Sequence, residues 1–451
     1  MKNIFVIGAG RSASSLIKYL LENSEKENWF ITIGDMDVKT VEAKINGHKN
    51  AQGIEFDVFN ESSRNTEIEK ADLVVSMLPA RFHMEVAREC VKQKKNMVTA
   101  SYVSEDMAAL NEEAKANGVI IMNEIGLDPG LDHLSAMKII DQIKSAGHKL
   151  EGFESFTGGL VAPEYDNNPW NYKFTWNPRN VVLAGQGGAS MFRQNGTTKY
   201  IPYNKLFRRT ERIEIDGYGF FEGYANRDSL KYIDIYNLGD IKTIFRGTFR
   251  RAGYSRAWDS FVQLGVLDDT YKIKHSESLT YREFINLYLP YNPTDSVELK
   301  LRHYLNISMD NEELWDKLVW LDIFSDKKVE LKNATPAQIM QKILEEKLSL
   351  EPDDKDMIAM WHKFNFIDKN TGKQREVQSS LIVLGDDQTY TSMAKTVGLP
   401  VAIAAKLILN GTIKTPGVHI PTTAEVYNPV LSELENYGII FKEKEVEPKL
   451  Y

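Results

Sequence analysis

The sequence predicts an α/β chain that opens with a doubly wound parallel sheet and continues into a mixed α/β part interrupted by a mainly helical stretch. Three observations carry that expectation. Residues 1–125 alternate short, continuously apolar runs with segments of helical periodicity, the β-α-β rhythm of a parallel sheet covered on both faces. A glycine-rich turn stands between the first apolar run and the first helical segment. Past Gly130 the pattern changes, first to Gly-, Tyr-, Phe- and Arg-rich strands and long loops, then to charged helices.

In chain order, Ile4-Phe5-Val6-Ile7 reads as a strand buried on both faces, and Leu16, Ile17, Leu20 and Leu21 recur at helical spacing after it. Further strands are expected at Phe30–Ile33, Leu73–Leu78, from Met97-Val98, and at Val119–Met122, with helices at Met84–Gln93 and Glu105–Asn117 between them. Leu131–Ala146 reads as one amphipathic helix stopped by Gly147. Residues 151–253 read as strands and loops, 257–364 as mainly helical, 345–356 as a solvated helix end or linker, and 374–384 as a strand returning to the mixed part. A helix interrupted at Pro400 is expected over Tyr390–Leu409, then a surface tail carrying Pro416, Pro421 and Pro429.

The chain has 451 residues, enough for two or three domains and a large core, and its 42% apolar and 26% charged content is that of an ordinary globular protein. A net charge of −8 argues against a nucleic-acid partner. One cysteine, Cys90, excludes an internal disulfide or a Cys-rich metal site, so no metal is expected and a reducing, cytoplasmic setting is. The first strand begins too early to leave room for a signal peptide, and no uninterrupted apolar run suggests a membrane span.

Gly8-Ala9-Gly10-Arg11-Ser12-Ala13 is the G-x-G-x-x-A form of the Rossmann dinucleotide fingerprint. Gly8 serves the tight turn, Gly10 admits a pyrophosphate to the backbone, Ala13 allows helix and strand to pack closely, and the helix start offers free N–H groups. The motif follows a strand and opens a helix, which is its required context. The second strand closes on Asp35 and Asp37. A carboxylate there accepts ribose hydroxyls and repels a 2′-phosphate, so NAD is favoured over NADP; both residues could instead cap a turn. Asp57-Val58 reads as an adenine-side turn or a strand end. Thr99-Ala100-Ser101-Tyr102 lies at a strand's carboxyl end, where ligands of open α/β sheets bind, with Ser104 as a helix N-cap. Glu124–His133 bends sharply into a helix and places Asp128 to meet an amine; His133 reads as structural. Thr157–Glu164 suggests backbone near a ligand, Lys173 and Trp176 are site candidates set against an aromatic core, and Arg227 and Arg250 suit carboxylates, as arginine forks do.

These motifs together resemble the saccharopine reductase (glutamate-forming saccharopine dehydrogenase) family: GLDPGLDHL at 126–134, GGLVAPE at 158–164, NPWNYKFTWNPRNVVLA at 168–184, YANRDS at 224–229, RGTFRR at 246–251, SYVS at 101–104 and TSMAKTVGLPVAIAAKLIL at 391–409. The resemblance implies a Rossmann domain, 1–127, completed by the C-terminal segment 391–451; a mixed α/β substrate domain, 128–256 with 365–390; and a helical insertion, 257–364. It implies NAD- or NADP-linked, reversible conversion of saccharopine to 2-aminoadipate 6-semialdehyde and glutamate in lysine metabolism. Ser101, Tyr102, Asp128, Arg227, Thr248, Phe249 and Arg250 would contact saccharopine, with Asp128 and Tyr102 the candidates for proton transfer. Gly8, Ala9, Gly10, Arg11, Ser12, Ala13, Asp35, Asp57, Val58, Ala100, Leu127, Pro129 and Trp176 would line the cofactor, and a homodimer is compatible. Two departures stand out. Thr157 replaces the cysteine that often precedes the double glycine, and Asp35 replaces the basic residue of NADP-using members. Two rivals remain at this point: a reductase joining a semialdehyde to a polyamine, which needs fewer arginines, and a dinucleotide-sensing protein without catalysis.

Overall fold

The computed structural model describes residues 1–448. The chain divides into two compact units, Met1–Leu150 with the segment from Phe366 onward, and Glu151–Asn365. The first six strands are β1 (Lys2–Ile7), β2 (Trp29–Asp35), β3 (Ala51–Glu55), β4 (Leu73–Ser76), β5 (Asn96–Val98) and β6 (Ile120–Met122). Then come β7 (Lys149–Val161), β8 (Ser190–Gln194), β9 (Thr197–Ile201), β10 (Thr210–Ile215), β11 (Gly219–Ala225), β12 (Thr243–Arg251) and β13 (Asp356–Ile367). The last three are β14 (Gln374–Leu384), β15 (Gly417–His419) and β16 (Lys442–Val446).

In the first unit a seven-stranded sheet runs in the order β15-β6-β5-β4-β1-β2-β3, every neighbouring pair parallel. The central strands β1 and β4 are apolar on both faces because helices cover both, and Ile4, Val6, Leu73, Val74 and Val75 are fully buried. The order reverses direction at β1, and ligands of such sheets bind beyond the strand ends at that point. The helix Ser392–Leu409 packs on the helix Ser14–Glu27 so closely that a Cβ at Gly398 would stand 2.8 Å from the Leu16 nitrogen. By length and composition Ser392–Leu409 could cross a membrane, but most of it is buried inside this unit.

Several expectations change here. β3 and β15 escaped the sequence reading, while β14, the expected returning strand, follows β13 in the order of the mixed sheet. The expected tail contains β15, the helix Ala424–Leu434 and β16, with Pro429 inside that helix. Pro400 does not interrupt Ser392–Leu409. Glu105–Asn117 splits into two helices at Leu110. The expected linker at 345–356 is the end of the helix Pro336–Leu348 followed by buried Asp354 and Asp356.

In the second unit the strand path is β10-β11-β12-β7-β13, with the β8–β9 hairpin beside β12. β10–β11 and β11–β12 are antiparallel and β12–β7 is parallel. The helices between residues 254 and 348 belong to the same compact unit as these strands. The aromatic motif at 168–176 feeds its core: Trp170 stacks on Phe261 at 5.8 Å, and its indole N–H donates to the Lys317 carbonyl at 2.8 Å. Alternation along β12 separates two faces. Phe245, Gly247 and Phe249 share one face, where the Phe156 ring fits because a Cβ at Gly247 or at Gly223 would come within 2.4 Å of it. Arg246, Thr248 and Arg250 share the other.

Candidate active site

The glycine turn follows β1 and leads into the helix Ser14–Glu27 through a short 3₁₀ turn, Arg11–Ala13. Gly8 has φ of +100° and sits against the Met77 carbonyl, where a Cβ would approach to 3.0 Å, so only glycine fits. A Cβ at Gly10 would meet nothing within 4 Å; the turn is open there, as a cradle for a pyrophosphate requires. Ala13 is buried in the helix–strand contact, and Arg11 is exposed. Asp35 ties the turn to β2: its Oδ2 accepts the Ala9 N–H at 2.7 Å and its Oδ1 accepts the Asp37 N–H at 3.0 Å. Asp37 caps the helix Val38–Ile45. Both capping roles are present, therefore, and Asp35 additionally rigidifies the phosphate loop. Asp57 is exposed and accepts the Phe59 N–H, while Val58 is buried.

Ala100, Ser101 and Tyr102 lie past the end of β5 in this same unit, with Tyr102 40% exposed. A carboxylate missed in the sequence supports them: buried Glu124, at φ of +53°, gives Oε1 to the Val103 N–H at 3.0 Å and Oε2 to His133 Nε2 at 2.9 Å. His133 is fully buried, in keeping with a structural role. Behind Ser101 stands His83, also missed, whose Nε2 lies 2.6 Å from Ser101 Oγ and whose Nδ1 lies 2.8 Å from Ser76 Oγ. Leu127, Asp128 and Pro129 form the tight loop before the helix Leu131–Ser145, with Asp128–Pro129 cis. The Gly126 N–H donates to the Pro129 carbonyl, and Gly130 at φ of +148° leaves no room for a side chain against Gly126. Leu127 is buried and Asp128 half-buried.

In the second unit the polar face of β12 is built by cross-strand register. Tyr224 of β11 and Thr157 of β7 both pair with Thr248, and Ser155 pairs with Arg246. Arg250 is buried at 3% exposure, and its guanidinium lies 5.0, 5.8 and 5.2 Å from the ring centres of Tyr172, Tyr224 and Tyr254. Its Nη1 donates to the Phe249 carbonyl at 2.8 Å, its Nε has no partner, and no carboxylate of the described residues forms an ion pair with it. The Tyr172 hydroxyl and Thr157 Oγ1 are likewise buried without partners. Burial pushes the Tyr172 hydroxyl up to about 12 against the pull of the Arg250 charge, so it stays a proton donor. A buried cation bonded to one carbonyl and the Tyr254 hydroxyl, and otherwise faced by tyrosine rings, is costly unless an anion joins it.

Other expected residues lie apart from this cluster. Phe249 turns its ring into the core, 5.4 Å from Phe156, and its carbonyl accepts Arg250 Nη1. Arg227 is exposed at φ of +46°, and Trp176 is 39% exposed. Lys173 is committed to Asp354 at 2.6 Å, both side chains buried. Arg246, absent from the expected set, is buried on the same face as Arg250, 4.1 Å over the Tyr232 ring. Its signal was the spacing of two between 246, 248 and 250 in a strand.

Residues 4–122 match the family model described as the saccharopine dehydrogenase NADP binding domain, and residues 126–439 match that of the saccharopine dehydrogenase C-terminal domain. The chain is 34% identical to the saccharopine dehydrogenase [NADP(+), L-glutamate-forming] of Schizosaccharomyces pombe, over 99% of this chain and 100% of that protein. It is also 34% identical to mitochondrial alpha-aminoadipic semialdehyde synthase of Mus musculus, covering 98% of this chain but 47% of that one. The solved structure of apo histidine-tagged saccharopine dehydrogenase (L-Glu forming) from Saccharomyces cerevisiae superimposes with a TM-score of 0.90 at 32% identity, covering 99% of this chain and 100% of that one.

Proposed function

The chain belongs to the saccharopine dehydrogenase family, and from that premise we propose that it is a glutamate-forming saccharopine dehydrogenase of lysine metabolism. It is an oxidoreductase that uses a nicotinamide dinucleotide and acts on a small molecule. The reaction balances as saccharopine, oxidised dinucleotide and water giving 2-aminoadipate 6-semialdehyde, glutamate, reduced dinucleotide and a proton. The dinucleotide, when bound, takes a hydride from the carbon beside the secondary amine; Gly8–Ala13 would hold it. The rest is positioning and proton handling by the chain.

The observation that carries the substrate class is Arg250, a buried guanidinium with an orphaned Nε and no protein carboxylate. Saccharopine bears three carboxylates, and an arginine fork grips one through parallel hydrogen bonds. Tyr172 and Thr157 supply further donors, and Arg227 is a candidate for a second carboxylate. Asp128 and Tyr102 are the candidates for positioning the amine or relaying the proton that must leave it before hydride transfer. The resulting imine is then hydrolysed.

The cofactor names of the relatives read NADP(+), which does not favour the NAD preference expected from the sequence. What supports NAD is local charge: Asp35 and Asp37 close β2, where a 2′-phosphate would meet two carboxylates. Incubation with saccharopine and either dinucleotide, with glutamate measured alongside absorbance, tests both readings. Stoichiometric glutamate with more turnover from NAD is expected. Turnover only of a carboxylated polyamine would replace the substrate, and a strong NADP preference would remove the role given to Asp35.

A further inference from the structure

Four buried or half-buried groups near the carboxyl ends of β4 and β5 form a connected set that the proposed chemistry has not used. Ser76, at the end of β4, places its hydroxyl 2.8 Å from His83 Nδ1; His83 Nε2 lies 2.6 Å from Ser101 Oγ and 3.4 Å from Thr99 Oγ1. Ser76, His83 and Thr99 are buried, and Ser101 is half-buried.

The hydrogens in this set can be assigned by asking where each has to go. Thr99 Oγ1 already accepts the Ser101 N–H at 3.3 Å, and Thr99 is 1% exposed. Its hydroxyl proton therefore needs a nearby acceptor, and His83 Nε2 is the one in reach. A bare Nε2 takes a proton from Thr99 and from Ser101; a protonated Nε2 would leave the buried Thr99 O–H facing an N–H. The imidazole then carries its hydrogen on Nδ1 and donates it to Ser76. Burial supports a neutral ring, pushing the imidazole down to about 4.

We propose that His83 is a positioning residue: by accepting the Ser101 O–H on Nε2, it fixes the Ser101 oxygen as a hydrogen-bond acceptor toward the ligand. With its own hydrogen committed inward, Ser101 cannot donate to a carboxylate and fits an N–H donor, the class to which a secondary amine belongs. This assignment rests on the saccharopine reading for the identity of the ligand, but the direction of the hydrogen bond does not.

Two variants divide the ring. His83→Gln keeps an amide oxygen near the Nε2 position, so Ser101 retains an acceptor; His83→Asn keeps a polar atom only near Nδ1, facing Ser76. Steady-state kinetics with saccharopine should show His83→Gln within about threefold of wild type in kcat/KM, and His83→Asn lowered roughly ten- to hundredfold, with the KM for dinucleotide unmoved. Ser101→Ala should fall as far as His83→Asn, and the double variant no further. Equal losses in the Gln and Asn variants would overturn the proposal. A second arm needs no substrate and no variant of His83. In ¹⁵N-histidine-labelled protein, His83 should show a protonated Nδ1 and a bare Nε2 at neutral pH, with the Nε2 resonance moving in Ser101→Ala. A protonated Nε2 would equally overturn it. If the wild type fails to turn over saccharopine with either dinucleotide, the functional reading falls, and the resonance arm alone still decides the hydrogen-bond direction.

Discussion

At the residue scale, the candidate site combines a buried arginine without a carboxylate and carboxylates already engaged by backbone N–H groups. Arg250 lacks a carboxylate, and Arg250→Ala is expected to raise the KM for saccharopine at least about a hundredfold while leaving dinucleotide binding within a fewfold, since a buried charge-assisted pair contributes roughly 3–5 kcal/mol. Calorimetric titration of each ligand separately checks this. Asp35 is the reverse case, a carboxylate already engaged by Ala9 and Asp37. Asp35→Asn keeps an oxygen for the Ala9 N–H and removes a charge. The ratio of kcat/KM for NADP over NAD should rise by at least about tenfold, because like charges a few ångströms apart repel by on the order of 1–4 kcal/mol. His83 makes stability depend on pH. Its folded pKa, about 4, lies below the ordinary 6.5, so between those values the unfolded chain binds the extra proton. Stability is therefore full above pH 6.5 and falls as pH drops toward 4, by about 3 kcal/mol for this group. Urea unfolding at pH 7 and pH 5 should show a larger drop in wild type than in His83→Gln. The glycine turn, Asp35, Ser101, Arg227 and Arg250 could be named as candidates from the sequence because motif chemistry suggests them, whereas Arg246 was not. His83 and Glu124 were not, since a lone His or Glu beside a strand end carries no pattern until the fold brings its partner close.

At the scale of elements, what sequence periodicity could resolve was set by length and apolar content. β1, β2 and β4 are apolar runs, and the reading found them. β3, Ala51–Glu55, has one large apolar residue and no fully buried position, and β15 has three residues in all, so neither shows a period. Prolines misled at both ends of the C-terminal segment. Pro400 sits inside a continuous helix whose tertiary packing outweighs the lost backbone bond, and Pro429 does the same in a shorter one. The contact that anchors the first of these helices is Gly398 against the Ser12–Leu16 turn of the dinucleotide helix. Gly398→Val should destabilise the protein by roughly 1–3 kcal/mol through overpacking. It should also weaken dinucleotide binding more than saccharopine binding, because the phosphate-binding turn is what it displaces. A thermal-shift series with each ligand reads both effects. A variant melting as wild type would show that the contact yields without cost.

At the scale of the whole molecule, the first unit is discontinuous in sequence: residues 1–150 are joined by the segment from 366 onward, and β15 adds the last parallel strand beside β6. Composition and length could bound the number of domains but could not reveal that return, which came from family resemblance. The helical stretch proved to share a compact unit with the mixed strands. A chain stopped after Leu409 keeps the helix Ser392–Leu409 but loses β15, the helix Ala424–Leu434 and β16. It should lose dinucleotide binding although every fingerprint residue remains, which equilibrium dialysis would show.

The central claim is that a buried arginine face in a dinucleotide-linked enzyme selects a polycarboxylate amine and oxidises it. The measurement that bears on it most directly is kcat/KM for saccharopine, followed at the reduced nicotinamide band, for wild type and Arg250→Lys side by side. The account predicts robust turnover by the wild type and a fall of at least about tenfold in the lysine variant, because a point charge cannot replace the planar fork. No turnover by the wild type with either dinucleotide, or a lysine variant as active as the wild type, would contradict it.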